Sequence, residues 1–89
     1  MNSHTTARFR KAFAQLPAAV QQQARSAYRL LQQNPHHPSL RFRQVHPRRP
    51  IYSARVGSDY RAVGVRDGDT IICFWIGPHA EYDTLLAAL

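Results

Sequence analysis

Eighty-nine residues with a single cysteine make one small domain, 1–89, with no internal disulfide to reinforce it. A chain this short buries only about two-thirds of its unfolded surface. The formal net charge of +7 is unevenly spread: residues 1–58 hold ten Lys/Arg and no acid, whereas residues 59–89 hold two Arg and five acids.

That asymmetry points to a polyanion or an acidic protein segment as partner, and eleven of the twelve cations are arginine, the side chain suited to bidentate phosphate contacts. No apolar run approaches the roughly 18 residues of a membrane span. With neither a cysteine framework nor a signal peptide, a cytosolic (cytoplasmic) location is expected.

Met1 to Thr6 is polar and reads as a frayed end or a short edge strand. Thr6 can cap a first helix in which Phe9, Phe13 and Leu16 recur at i, i+4 and i+7. Pro17 opens a second helix, with Val20, Ala24, Ala27 and Leu31 on one stripe, which Asn34-Pro35 ends. After a stiff connector, Leu40, Phe42 and Val45 read as an edge strand carrying Arg41 and Arg43. His46-Pro-Arg-Arg-Pro50 is a basic loop held extended by its prolines, and Ile51 to Val56 is a further strand.

Tyr60 to Arg66 alternates, with Arg61, Val63 and Val65 facing one way. Asp67-Gly68 is a strong hairpin signal, because the turn needs a positive φ that glycine adopts without steric cost. Thr70 to Ile76 is almost wholly apolar and reads as a central strand covered on both faces. Gly77-Pro78 stops it. The element order predicts an α+β fold, a helical hairpin packed on about four mainly antiparallel strands.

Two constellations can carry chemistry. Arg41, Arg43, Arg55 and Arg61 lie on strands, and on a shared open face they would cradle a phosphodiester backbone. A solvated outer face is the plain alternative for any one of them. His79, Glu81, Tyr82 and Asp83 follow directly on the most buried strand. Cleaving RNA without a metal needs proton transfer at the ribose 2′-hydroxyl and the leaving 5′-oxygen, and positive charge at the phosphate. His79 or Tyr82 can move the proton and Arg61 can stabilise the phosphate; Tyr82 can instead stack on a base. Equally, the acids here can simply open a last helix. The histidines lack ligand-pair spacing and Cys73 stands alone in an apolar strand, so no metal or cofactor is expected.

The chain resembles the RelE/ParE superfamily of toxins from type II toxin–antitoxin systems. The resemblance runs through Phe13-Ala-Gln-Leu-Pro17, Asn34-Pro35, Tyr52-Ser-Ala-Arg55-Val-Gly57, Asp59-Tyr-Arg61 and Trp75-Ile-Gly-Pro-His-Ala-Glu-Tyr82. It implies a RelE-like fold, with the helical hairpin on a twisted sheet, and a cognate antitoxin that is acidic in its binding segment. In the ribonuclease branch it implies cleavage of messenger RNA, commonly in the ribosomal decoding site. By position it assigns catalytic roles to Arg61, His79 and Tyr82, and RNA contacts to Arg55, beside Arg41, Arg43 and His46 of the basic segment. The ParE branch shares the fold but inhibits DNA gyrase and needs no nuclease residues. A non-catalytic basic RNA-binding module is the third reading. Asp83 stands where many members have an aromatic residue.

Overall fold

Thr6 starts the helical part as its sequence suggests, its Oγ1 accepting the Phe9 backbone N–H at 3.1 Å. In the computed structural model, which describes residues 1–89, it precedes α1 (Ala7–Ala14), and Pro17 precedes α2 (Ala18–Gln33). The strands are β1 (Asn2–Thr5), β2 (Arg43–Gln44), β3 (Ile51–Val56), β4 (Tyr60–Asp67) and β5 (Thr70–Pro78), followed by α3 (His79–Ala88). They form one sheet in the order β1-β5-β4-β3-β2. No helix is long and apolar enough to cross a membrane.

Five strands rather than four is the main departure from the sequence reading. The extra one is the polar N-terminus, which pairs with β5 in parallel register, Ser3 opposite Ile71 and Thr5 opposite Cys73. Long-range bonds secure it: the Tyr28 hydroxyl donates to the Ser3 carbonyl at 2.6 Å, and the Thr6 N–H donates to the Cys73 carbonyl at 3.0 Å. The predicted strand through residues 40–45 shrinks to two residues. Pro38–Leu40 is a 3-10 turn that buries Leu40, and Arg41 follows in the left-handed region at φ 46°. That conformation cannot continue a strand.

The sheet has two cores. Phe9, Ala24 and Leu31 of the helical hairpin pack on Val56, Ile71, Cys73 and Ile76. On the opposite face, Tyr82 of α3 packs on Ile51 and Val63, flanked by Phe74 and Trp75. A shift in register makes this possible: Val63 pairs with Trp75 but Gly64 with Cys73, so Phe74 is an extra residue in β5. Without that bulge, strict alternation would put Trp75 and not Ile76 on the face of Ile71 and Cys73. Helix α3 covers only one end of its face. Ile72 and Val65, a direct cross-strand pair, remain 42% and 39% exposed, so β5 is not covered on both faces throughout.

Two glycines have steric reasons. Gly68 takes φ +60° in the hairpin turn, as the Asp67-Gly68 pair predicts. At Gly64, beside the bulge, a Cβ would lie 2.8 Å from the Ile72 carbonyl oxygen and 3.1 Å from Cys73 Cα. Both are backbone atoms, which cannot swing aside. Gly64→Ala is therefore expected to destabilise the domain by about 1–3 kcal/mol, the usual cost of overpacking. Urea unfolding should show a lower midpoint at unchanged slope; an unaltered midpoint would mean that the bulge adapts.

Burial pushes the Cys73 thiol up to about 11, the neighbouring Ser3 side chain offsetting this in part. It stays protonated at neutral pH and acts as a small buried hydrophobe.

Candidate functional site

Gly77-Pro78 ends β5, and the His79 N–H donates to the Asp59 carbonyl at 2.8 Å, which fixes where α3 begins. This junction sets the first turns of α3 over the β4 side of the sheet. Between them lies an open cleft of about 320 Å³ lined by Arg61, His79, Tyr82 and Asp83 together with Arg43 and Gln44 of β2. Three residues singled out in the sequence as catalytic thus border one cleft, with one of the expected RNA contacts, Arg43.

Arg61 projects from β4 toward α3, its guanidinium carbon 5.6 Å from the centre of the Tyr82 ring. Its Nη1 is buried and meets no hydrogen-bond partner. A guanidinium nitrogen in that condition is costly to the folded state, and the same side chain lines the cleft, where its charge favours an anion.

His79 is half exposed, edge-on to Tyr82 at 5.5 Å and 75°, with Nδ1 3.4 Å from Asp83 Oδ2. Tyr82 differs from both. It is 4% exposed, and its hydroxyl donates to Ser53 Oγ inside the sheet at 3.1 Å. The hydroxyl is already engaged and screened from solvent, so the ring anchors α3 and supports Arg61 and His79 without presenting a proton to the cleft.

Three expected RNA contacts lie elsewhere. Arg55 is the cross-strand partner of Arg61, and two like charges on one face would repel. Beyond Ser53 the β2 ladder has ended, so Arg55 turns over the free edge instead. There its Nε donates to the Gly57 carbonyl at 2.8 Å, and it lines a groove with Gln23 and Ser26 of α2. His46 is occupied on both ring nitrogens. Nδ1 accepts the Arg48 and Arg49 N–H groups at 3.0 and 2.9 Å, and Nε2 lies 3.2 Å from the Leu89 carbonyl oxygen. The ring organises the basic loop and does not reach the cleft. Arg41, in its left-handed turn, is exposed outside the cleft as well.

Two contributors were not singled out by sequence reasoning. Ser53 is 1% exposed and receives the Tyr82 hydroxyl; its one signal is a lone polar side chain at an inward position of an apolar strand. Gln44 lines the cleft from β2 and carries no signal at all. No group of three His, Cys, Asp or Glu side chains gathers in a way that could hold a metal ion.

No curated protein matches the sequence. Solved structures do match in fold. RelE–RelB from Methanococcus jannaschii superposes with TM-score 0.73 at 20% identity, covering 91% of this chain and 96% of that one. RelE–RelB from Pyrococcus horikoshii gives 0.70 at 20% identity, with 86% and 92% covered. The intact Escherichia coli RelBE complex gives 0.67 at 15% identity, with 86% and 94% covered. The hairpin on a five-stranded sheet is therefore a RelE-like fold. The model of the ParE-like toxin domain matches residues 18–84, from the first turn of α2 past Asp83, and so takes in every cleft residue but Leu86. With three-quarters of its length matched, the chain belongs to the family of ParE-like toxin domains.

Proposed function

We propose that the protein is the toxin of a type II toxin–antitoxin system and a metal-independent endoribonuclease that cuts messenger RNA, free or in the ribosomal decoding site. One observation carries the reading: Arg61, with an unpartnered guanidinium nitrogen, and His79, a solvent-accessible imidazole, border the same cleft. In this scheme Arg61, seconded by Arg43, holds the scissile phosphate and stabilises the charge that builds on it. His79 takes the 2′-hydroxyl proton. The freed oxygen attacks phosphorus, a 2′,3′-cyclic phosphate forms, and the 5′-oxygen departs and takes up a proton from water. Tyr82, with its hydroxyl held by Ser53, contributes position rather than a proton.

The RelB complexes among the structural neighbours support an antitoxin partner, and the acid-free residues 1–58 favour one with an acidic binding segment. The family's ParE name supports a second reading, inhibition of DNA gyrase without chemistry. An under-partnered guanidinium beside a titratable ring favours the nuclease, since a gyrase inhibitor needs neither.

Brief induction of the chain alone should arrest growth and create new RNA ends within coding regions, while co-expression with the antitoxin restores growth. Gyrase supercoiling, assayed in parallel, should be unaffected. Intact messages with blocked supercoiling would move the protein to the gyrase reading.

A further inference from the structure

Asp83 is the single acid in a cleft whose basic groups are Arg43, Arg61 and His79. A carboxylate there opposes the binding of a phosphate. Stability does not account for it either, because the His79 and Asp83 side chains are 50% and 67% exposed and an exposed pair contributes little. Its geometry does give a reason. Asp83 stands one helical turn after His79, with Oδ2 3.4 Å from Nδ1, an ion-pair contact that a small side-chain approach would close to a hydrogen bond.

We infer that Asp83 is the positioning residue of His79, holding the ring proton on Nδ1 so that Nε2 keeps the lone pair that accepts a proton. A carboxylate is an acceptor only and carries negative charge, so it favours the proton on the ring nitrogen that faces it, and the tautomer follows from that pairing. Free neutral histidine favours the opposite tautomer, with the proton on Nε2, which leaves that nitrogen unable to act as base. Two further contacts limit the ring's freedom. The His79 N–H is bound to the Asp59 carbonyl, and the ring stands edge-on against Tyr82, itself buried. With the backbone and one ring edge restrained, a partner at Nδ1 completes the orientation. The negative charge also balances the imidazolium formed when Nε2 takes its proton, which recovers part of what Asp83 costs in phosphate binding.

The catalytic meaning of this arrangement rests on the nuclease reading, but the tautomer does not, and the test separates them. The His79 ring is read by long-range ¹H–¹⁵N correlation in the purified protein, at a pH where the ring is neutral. The parent should show the proton on Nδ1. Asp83→Ala should shift it to Nε2 and lower the initial rate of RNA cleavage on the order of tenfold, less than loss of the ring itself. Asp83→Asn, whose amide oxygen still accepts from Nδ1, should keep the tautomer and recover most of the rate. A parent ring protonated on Nε2, or a tautomer indifferent to Asp83→Ala, overturns the inference. So does an Asn variant that keeps the tautomer yet is as slow as Ala, since Asp83 would then act directly. A parent that cuts no RNA defeats the nuclease reading, and the tautomer then decides the inference alone.

Discussion

Arg61→Ala and His79→Ala should each lower RNA cleavage by about a hundredfold or more, the usual cost of losing a charge stabiliser or a general base. Growth arrest on induction should fade with it. The two variants are expected to differ in stability. His79 is half exposed and Ala is a better helix former, so its loss should leave the melting temperature nearly unchanged. Arg61 carries a buried nitrogen without a partner, and removing that group relieves a desolvation cost. Arg61→Met, which keeps the apolar stem over Tyr82, should therefore melt at or above the parent temperature while remaining inactive. A site that holds destabilising charge for the sake of its ligand behaves in this way. Variants that melt like the parent and still produce the same RNA ends would show that the assignment of Arg61 and His79 is wrong.

The largest loss of stability is expected at Tyr82. It is the only buried side chain of α3, packed on Ile51 and Val63 and bonded to Ser53. Tyr82→Ala opens a cavity and should cost about 3–5 kcal/mol, as other large aromatic truncations do. Against a total stability of about 5–15 kcal/mol, that is enough to detach α3 and with it His79. Tyr82→Phe keeps the packing and leaves the buried Ser53 hydroxyl without its donor, costing about 1 kcal/mol. Denaturant unfolding measures both. The Phe variant should retain RNA cleavage, because its hydroxyl never faced the cleft. If Tyr82→Phe instead loses cleavage as fully as His79→Ala at near-parent stability, the hydroxyl takes part in the reaction.

What could be read from the sequence was what nearest neighbours along the chain decide. Thr6 as a cap, the Asp67-Gly68 turn and the stop at Gly77-Pro78 are local events, and each stands where its residues place it. The gathering of Arg61, His79 and Tyr82 followed from the same logic, because a polar cluster just beyond a buried strand must lie at the rim of the sheet. What escaped depends on contacts distant in sequence. The first strand exists only through β5 and Tyr28, so its own polar residues offer an edge strand as no more than an alternative to a frayed end. Arg55 and Arg61 alternate correctly, yet facing like charges send one of them over the sheet edge. His46 looks like a free basic-loop ligand until its two backbone donors are seen. Asp83 was conspicuous as an unfavourable charge, and only the i, i+4 geometry on α3 supplies a partner for it.

The parallel pairing of β1 with β5 also bears on how the molecule comes into being. β1 is made well before β5 and waits for it, since its partners are Thr70 to Cys73. Every residue up to Cys73 must emerge before that edge of the sheet can close. The cleft is subject to the same delay, because Arg61 waits for Tyr82 and His79. Pairings this distant in sequence are slow to form. A nascent chain stopped short of Thr70 has neither a closed sheet nor a site, so whatever harm the protein does begins only once β5 and the first turn of α3 have been made.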